Sequence, residues 1–509
     1  MPTLTIQVGQ CGNQLGSAIF SSLSSPSIPS PSSLTPSTLP PPFPPPPPSQ
    51  FFRTTQNCAS HSTPIARAIL IDTEPKVVER CLTSSTNRDC NFRYSKSNSC
   101  VIGAGGAANN WARGYASSSE ILEKCMDKVT GELEKSPYTP SVHLLHSCAG
   151  GTGSGLGCSL TRSYSDYHGG KTLLFNTIIT PFESGEVIVQ DYNSALTLSS
   201  LIEYSDAILC IENEVASRAC SKMLKIAHPG VKELNGVIGD SVSSLISDSY
   251  PSLTEYTNSS NSLQLDDVIR HMVPHSSYKM LSHRMVPMMP EGSIEFSRDT
   301  WESGVVKRLR QMHRCGGTLE CDVNWRKDVD TSVSIANLLV LRGDGGLPRM
   351  DTPKRNGILD LESPNQPPLN PNSNNPNSTP LLPNPPPTQP TPPKPNKPKS
   401  KAPPTSDVWS VDCSSFSPPN STYVPWNPSP FKVTRSHVNF KRYEKMGGLL
   451  TNSDSCLKLL ERVDNAKVKF DARAYVHQYE AFGVGVDEFE AAFLNLDEVR
   501  VRYRNLSHA

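Results

Sequence analysis

The segment of this 509-residue chain that most clearly suggests chemistry is the heptapeptide Ala149-Gly150-Gly151-Thr152-Gly153-Ser154-Gly155. Successive glycines let backbone N–H groups point toward one concave site, and a helix that starts there adds the positive end of its dipole. The hydroxyls of Thr152 and Ser154 are further donors. The segment therefore predicts a site for phosphate oxygens, with a glycine-rich structural turn as the alternative.

Two common phosphate-binding patterns do not fit this loop. A Walker loop ends in Gly-Lys-Ser/Thr, and no lysine follows the glycines here. The dinucleotide pattern GxGxxG needs glycine at its sixth position, where Leu156 and Cys158 stand when counting starts from Gly151 and Gly153. The loop therefore belongs to neither type.

Short apolar segments that end in polar or glycine-containing turns would position this loop and several others. Those predicted as strands are residues 4–8, 68–71, 142–145, 173–180 and 207–211. Stretches with helical spacing lie between them, and this alternation predicts an α/β fold, a Rossmann-like parallel sheet with helices on both faces. Ligands of such sheets bind at the carboxyl ends of the strands, where Gly, Asn, Asp and Glu residues of this chain collect.

The second half of the chain has a different character. Residues 333–342 are typical of a buried strand, and Phe489, Phe493, Leu496 and Tyr503 recur at helical spacing. We predict a first domain over 1–240, a smaller mixed α/β intermediate domain over 241–440, and a C-terminal helical region over 441–509.

Proline is concentrated in two tracts: of 47 prolines, 12 lie in residues 21–50 and 19 in 348–404. Such composition cannot build a packed core, which predicts a Pro/Ser-rich insertion at about 21–62 and a disordered Pro/Asn-rich insertion at about 344–407. The alternatives are ligands for proline-reading domains and untranslated sequence retained in a gene model.

The overall composition excludes several classes of protein. Lys plus Arg and Asp plus Glu each total 48, so no net charge draws the chain to nucleic acid or an acidic membrane. No apolar run approaches the roughly 18 to 20 residues of a membrane span, and residues 1–16 lack the plan of a signal peptide. The 14 cysteines include no CxxC pair and no zinc-ligand spacing, which is typical of reduced thiols in a cytosolic protein.

Five motifs, in the same order along the chain, resemble those of the tubulin family. The heptapeptide is similar to the family's phosphate-binding loop; the others are GQCGNQ at 9–14, IDTEP at 71–75, NNWARGY at 109–115 and YNSALTLSSLIEYSDAILCIENE at 192–214. The segments GEVIVQDYN, HMVPHSSYKMLS and YVHQYEAFGV are most similar to the delta branch, and the sequence lacks the glutamate-rich tail of alpha and beta chains. The resemblance covers residues 1–506 outside the proline tracts and implies the tubulin fold with a GTP-binding first domain.

The resemblance also assigns roles to matching residues. Asn213 and Asn235 match the two asparagines that read guanine, a task that suits an amide because it donates and accepts at once. Glu74 matches the residue that helps to hold Mg²⁺, a cation that prefers carboxylate and water oxygens. The other residues expected to contact GTP or GDP are Gln10, Cys11, Gln14, Asp72, Gly106, Ala107, Ala108, Asn109, Ser147, Ala149, Gly150, Gly151, Thr152, Gly153, Ser154, Gly155 and Glu186.

Three positions depart from the family's pattern. Val231 stands where an aromatic residue stacks on guanine, and Gln190 stands where a second acid faces the ribose. Ala108 replaces a usual glycine in the loop that senses the γ-phosphate. We therefore expect altered nucleotide affinity or exchange.

Hydrolysis in tubulins is completed by the next subunit, which brings an acid toward the γ-phosphate and its attacking water. Asp267 lies at the matching position, where a carboxylate can orient or deprotonate water. An exposed acid at a helix start, favoured by the helix dipole, is the alternative. The asparagine usual a few residues upstream is not clearly present, so we expect at most a weak GTPase that depends on assembly.

From this resemblance we predict a delta-type tubulin, a structural cytoskeletal protein of centrioles and basal bodies needed for triplet microtubules and for cilia or flagella. Its expected partners are alpha and beta tubulin, with epsilon as a further candidate, and centriolar or basal-body proteins, without nucleic acid or membrane insertion. The expected locations are the cytoplasm, cytoskeleton, centriole and cilium, with the nucleus as a further candidate. The alternatives are another divergent tubulin such as epsilon, a stand-alone nucleotide enzyme, and an interaction module that no longer binds nucleotide.

Overall fold

The computed structural model of the chain describes residues 2–25, 50–53, 63–85, 91–101, 105–116, 119–136, 140–183, 185, 187–247, 264–294, 296–297, 299–323, 332–343, 408–418, 422–436 and 439–508. The predicted insertion at 344–407 lies outside the described residues, as do residues 26–49 and 54–62 of the first one. Both edges of the first tract belong to the fold, because residues 21–24 form the last turn of a helix and Phe51 and Phe52 are buried in the core.

Most strands of the described chain form one sheet. They are β1 (Thr3–Val8), β2 (Phe52–Arg53), β3 (Ile65–Ala66), β4 (Ala68–Asp72), β5 (Ser99–Val101), β6 (Ser141–Ser147), β7 (Leu174–Thr180), β8 (Ala207–Glu212), β9 (Met280–Val286), β10 (Ser334–Arg342), β11 (Phe431–Ser436) and β12 (Met446–Ser453). Ten strands form this sheet in the order β11-β10-β12-β9-β8-β7-β6-β1-β4-β5, and β2 pairs separately with β3.

The sheet is parallel from β5 through β9, which confirms the predicted α/β fold class. In register, Val8 of β1 lies opposite Ile71 of β4, and Gln7 lies opposite Leu145 of β6. Every residue of β1, β4 and β7 is buried, because helices cover both faces of such a sheet. The carboxyl ends of β4, β1 and β6 therefore meet at one edge.

Helices cover the sheet on both faces. They are α1 (Gly9–Ser24), α2 (Pro75–Ser85), α3 (Trp111–Tyr115), α4 (Ser119–Leu133), α5 (Gly157–His168), α6 (Gln190–Tyr204), α7 (Asn213–Arg218), α8 (Val231–Ile246), α9 (Leu265–Met272), α10 (Glu291–Ile294), α11 (Lys307–Arg314), α12 (Leu457–Glu461), α13 (Val463–Asp471), α14 (His477–Glu480) and α15 (Val486–Arg504). One core cluster joins α1, α2, α8 and α9 to the sheet, and others join α4, α5, α6, α13 and α15 to it. Within the part of the chain that the structure describes, no helix combines the length and apolar character needed to span a membrane.

The sheet continues past residue 240, where we predicted a domain boundary. Helix α8 crosses that position, β8 pairs in parallel with β9, and β12 pairs antiparallel with both β9 and β10. The strand predicted at 333–342 is β10, and all its residues are buried. On α15 the predicted spacing holds, since Phe489, Phe493, Leu496 and Tyr503 all face the core. The division into three domains stays a prediction.

Buried histidines predict a stability that falls with acid. Burial lowers the pKa of His143, His283 and His313 to about 3 and that of His146 to about 4. In the unfolded chain these rings titrate near 6.5. Below about pH 6.5 the unfolded state therefore binds more protons, and the free energy of unfolding falls by up to about 1.4 kcal/mol per pH unit for each ring.

We expect the urea midpoint to fall steeply between pH 7 and pH 5. His143→Gln, which keeps a polar group near the Thr177 hydroxyl, removes one buried ring and reduces the slope. The matched control is His275→Gln, because His275 is exposed and its replacement leaves the slope unchanged. A midpoint independent of pH over this range would contradict the assignment.

Candidate functional site

The candidate site lies where β4, β1 and β6 end side by side. Strand β1 leads directly into α1 at Gly9, β4 ends at Asp72, and β6 ends at Ser147 just before the glycine loop, residues 149–155. The sheet register therefore brings together three of the motifs that are far apart in the sequence, at residues 9–14, 71–75 and 149–155, as expected for a parallel sheet.

Close backbone approach joins the glycine loop to its neighbours. Gly9 has φ +71°, and a Cβ there would lie 2.9 Å from the backbone nitrogen of Gly153. A Cβ on Gly151 would lie 2.7 Å from the carbonyl oxygen of Ala107 and from the backbone nitrogen of Asn110. Only glycine fits at these two positions, because side-chain carbons do not approach backbone atoms so closely.

The loop runs into a helix that starts beside it. Residues Thr152–Leu156 form a π-type turn that continues as α5. The Thr152 hydroxyl lies 2.8 Å from that of Thr73, which ties the loop to the end of β4. Ser154 is buried and its hydroxyl donates to the carbonyl oxygen of Gly150, so its side chain stabilises the loop internally. Gly150 itself faces open space.

Two carboxyl groups lie beside the glycine loop. Asp72 is 4% exposed; its Oδ1 accepts from the Glu74 backbone N–H at 3.3 Å, and its Oδ2 is buried with no partner among the described residues. Burial raises the pKa of Asp72 to about 6. The Glu74 carboxylate lies against Gly106, since a Cβ there would be 2.5 Å from Glu74 Oε1. A buried carboxylate oxygen without a partner favours a cation.

These two carboxylates are too few for a complete metal site by themselves. Among the described residues, no group of three or more His, Cys, Asp or Glu side chains can hold a metal ion. Mg²⁺ typically takes one or two protein carboxylates and completes its shell with phosphate and water oxygens. The donor set of Asp72 and Glu74 therefore fits Mg²⁺ that arrives with a phosphate ligand.

The loop over residues 105–110 has an unusual backbone. Ala108 and Asn109 both have positive φ, at 49° and 55°. The left-handed conformation costs a residue other than glycine on the order of 1 kcal/mol, so Ala108 keeps the backbone shape of the glycine it replaces without the freedom of glycine. Asn110 ends the loop as the N-cap of α3, and its Oδ1 accepts from the Arg113 backbone N–H at 3.0 Å.

Asn193 on α6 is a residue of this site that sequence reasoning missed. Its Nδ2 donates to the carbonyl oxygens of Asn109, at 2.8 Å, and Ala149, at 2.6 Å. Its Oδ1 accepts from the Trp111 backbone N–H, at 3.0 Å, and from the Tyr479 hydroxyl, at 2.6 Å. One fully buried amide thus holds the glycine loop and the 105–110 loop together. The motif at 192–214 contains it, but a motif alone does not tell which side chain makes these contacts.

The first turn of α1 and the starts of α7 and α8 carry the remaining predicted contacts. Gln10 is exposed and Gln14 half-buried on α1, and burial raises the pKa of the Cys11 thiol to about 12, so it stays protonated. Asn213 is the first residue of α7, directly after β8, and Asn235 is half-buried on α8. Val231 is the first residue of α8 and exposes 63% of its surface. This exposure is consistent with a position where the family has an aromatic residue that stacks on the base.

On the predicted ribose side, Glu186 lies outside the described residues. Gln190 is buried and its Nε2 donates to the carbonyl oxygen of Phe182 at 2.9 Å. The Arg462 guanidinium also supports this loop, donating to the Pro181 carbonyl oxygen at 2.9 Å and to Glu212 Oε2 at 2.8 Å. The C-terminal helices therefore hold the loop after β7 in place.

Asp267 is not part of this cluster. It is exposed in the first turn of α9, and its neighbour Asp266 accepts a hydrogen bond from the hydroxyl of Ser141, the first residue of β6. The glycine loop follows Ser147 at the other end of that strand, about 20 Å away at 3.3 Å per residue. Asp267 therefore lies at the opposite end of the sheet from the glycine loop of its own chain.

The four hydrogen bonds of Asn193 predict a large effect on stability. Asn193→Ala leaves the Trp111 N–H and two loop carbonyls without a partner and leaves the Tyr479 hydroxyl with its longer hydrogen bond to the Val189 carbonyl oxygen, at 3.4 Å. We therefore expect the free energy of unfolding to fall by about 3 kcal/mol. Urea denaturation measures this. The control is Asn495→Ala, which loses only two bonds to Ser199 at a half-buried position and should cost about 1 kcal/mol. Equal losses would show that Asn193 has no special role.

Comparison with known proteins identifies the family. Residues 2–221 match the model of the Tubulin/FtsZ family, GTPase domain, which implies that this part of the chain binds GTP or GDP. The chain is 31% identical over 527 aligned residues to the tubulin delta chains of Macaca fascicularis and Homo sapiens, and 30% identical to that of Mus musculus. Each alignment covers 99% of this chain and 100% of the relative. Together with the parallel sheet, these matches confirm the predicted fold: the chain belongs to the tubulin family.

Proposed function

We propose that this protein is a GTP-binding, delta-type tubulin with a structural role in the cytoskeleton. The observation that carries the proposal is the convergence of the loops after β1, β4, β5 and β6. Gly9 approaches Gly153, Gly151 approaches Asn110, and the hydroxyls of Thr73 and Thr152 lie 2.8 Å apart. Glycine backbone at the start of a helix suits phosphate oxygens. The loops after neighbouring strands then supply the acid and amide groups that a nucleotide needs.

The base, the phosphates and the metal ion of a guanine nucleotide are each assigned to described residues of this chain. Asn213 and Asn235 are assigned to the base. The α1 residues Gln10, Cys11 and Gln14 are assigned to the side of the nucleotide that faces α1. The glycine loop and residues 106–109 are assigned to the phosphates. Asp72 and Glu74 would hold Mg²⁺, which when bound neutralises phosphate charge. The buried, unpartnered oxygen of Asp72 supports this assignment.

Hydrolysis is proposed to be weak and to require assembly. Asp267 is exposed at the opposite end of the sheet from the glycine loop, so it reaches only the site of another subunit. A carboxylate placed near the attacking water acts as a general base or orients the water. The lone chain lacks that acid in its own site.

The branch of the family suggests where the protein works. Relatives named tubulin delta chains align with 99% of this chain. We propose a role in centrioles and basal bodies, in triplet microtubules and in assembly of cilia or flagella. The proposed partners are alpha and beta tubulin, epsilon tubulin as a further candidate, and centriolar proteins.

The nucleotide assignment predicts the content of the purified protein. Near-stoichiometric GTP or GDP should be released on denaturation and identified by chromatography. The double variant Thr152→Val, Gly153→Ala loses the hydroxyl contact to Thr73 and crowds the Ser147 nitrogen at 3.3 Å, so it should retain at least about tenfold less nucleotide. The control Thr161→Val removes a buried hydroxyl of α5 and should retain the nucleotide. Empty wild-type protein that folds and takes up no GTP with Mg²⁺ would refute the assignment.

The position of Asp267 predicts that its effect depends on contact between subunits. Asp267→Ala should leave nucleotide content unchanged but slow GTP hydrolysis by about 10²-fold at protein concentrations where subunits associate. The matched control is Asp487→Ala, which removes another exposed acid from the first turn of a helix and should not change the rate. An equal loss of hydrolysis in dilute, monomeric protein would contradict a role in the neighbouring subunit's site.

A further inference from the structure

Asn193 connects the phosphate loops to a distant part of the chain, the segment of residues 472–485, which we call the C-terminal segment. Its Oδ1 accepts from two donors at once, the Trp111 backbone N–H at 3.0 Å and the Tyr479 hydroxyl at 2.6 Å. Trp111 follows the 105–110 loop directly, and Tyr479 lies in the C-terminal segment. A displacement of either donor therefore changes the hydrogen bond available to the other.

Further hydrogen bonds follow the same route. Asn110 uses its Oδ1 to cap α3 and its Nδ2 to donate to the carbonyl oxygen of Gln478 at 3.0 Å. The Tyr192 hydroxyl, next to Asn193, donates to the carbonyl oxygen of Ala474 at 2.9 Å. The C-terminal segment is thus held by polar side chains that sit on, or beside, the loops of the candidate site.

The Tyr479 side chain is well placed to transmit a movement. It is fully buried, and its ring packs edge-on against Tyr192, with centroids 5.6 Å apart, and against Phe489 of α15, at 5.2 Å. Close-packed interiors respond to displacement by switching arrangement, because they have little free volume. A change at Asn193 therefore reaches the aromatic core under the C-terminal segment.

Both connected segments contain left-handed residues other than glycine. Ala108 and Asn109 have φ of 49° and 55°, and Arg473 and Tyr475 have φ of 53° and 61°. Such conformations persist when surrounding contacts hold them, and loss of those contacts allows the backbone to relax. The hydrogen bonds of Asn193, Asn110 and Tyr192 are among the contacts that hold these segments.

We propose that Asn193 and Tyr479 form a positioning pair that couples the terminal-phosphate end of the nucleotide site to the C-terminal segment. When the third phosphate of GTP fixes the 105–110 loop, the Asn193 amide is held in one position. Its hydrogen bond with the Tyr479 hydroxyl then orders residues 472–485. By linkage, order in the C-terminal segment favours the triphosphate over the diphosphate to the same extent. This inference rests on the proposed nucleotide site.

The test compares backbone hydrogen exchange of residues 472–485 in full-length protein loaded with GDP or with a non-hydrolysable GTP analogue and Mg²⁺. Dissociation constants for both nucleotides are measured on the same samples. The variant is Tyr479→Phe, which removes only the hydroxyl that bonds to Asn193. The matched control is Tyr503→Phe, a fully buried tyrosine on α15 whose hydroxyl donates to Asn452 at 3.0 Å, away from the loops.

In wild-type protein and in Tyr503→Phe we expect slower exchange of this segment with the triphosphate analogue than with GDP. In Tyr479→Phe that difference should disappear, and the preference for the analogue over GDP should fall by about fivefold or more while both nucleotides still bind. If Tyr479 had only a structural role, its replacement would weaken the binding of both nucleotides to the same extent.

Three results would overturn the coupling. The first is wild-type protein that binds both nucleotides but shows the same hydrogen exchange of residues 472–485 with each. The second is a Tyr479→Phe variant in which the difference in exchange between the two nucleotides is as large as in wild-type protein. The third is wild-type protein that binds neither nucleotide, which refutes the proposed nucleotide site and the coupling with it. The binding measurement separates this third result from the other two.

Discussion

The candidate site depends on backbone meeting backbone at the carboxyl edge of the sheet. At Gly9 and Gly151, neighbouring main-chain atoms occupy the space that a β-carbon would need. Because strands β4, β1 and β6 are locked in register and buried on both faces, the loops that follow them have little freedom to move apart. The relative positions of the acids, the amides and the helix start depend on this contact.

Much of the fold was predictable because parallel strands buried on both faces are continuous apolar runs. Strands β4, β6, β7, β8 and β10 contain such a run, whereas β1 was predicted from the alternation of Leu4, Ile6 and Val8 with polar residues. The structure has all six strands close to the predicted limits. Strand β9 was missed since its core positions include His283 and Arg284, whose burial is balanced by side-chain hydrogen bonds to other elements. Strand β12 was missed because Gly447 weakens a strand pattern. A Cβ there would lie 2.4 Å from the side chain of Val305, in the helical turn Trp301–Val306, so packing against that turn explains the glycine.

The residues of the site were predictable where a motif lies next to the end of a strand. They were not predictable where long-range packing determines which side chains meet. The glycine loop follows β6, and Asp72 ends β4, so local pattern places both. Asn193 is an ordinary asparagine within a helix in the sequence, and only the fold brings its amide against Asn109, Ala149 and Tyr479. The internal bond of Ser154 likewise depends on the turn that the loop adopts, which composition does not specify.

The separation of Asp267 from the glycine loop along β6 has a geometric consequence for any assembly of this chain. A contact that pairs one end of a subunit with the other end of the next is heterologous, and such contacts repeat without closing unless rotation brings them into a ring. A row built in this way is directional. One terminus would display an uncovered nucleotide pocket and the other an unused acid, so the two tips of the row would differ chemically although every subunit is the same.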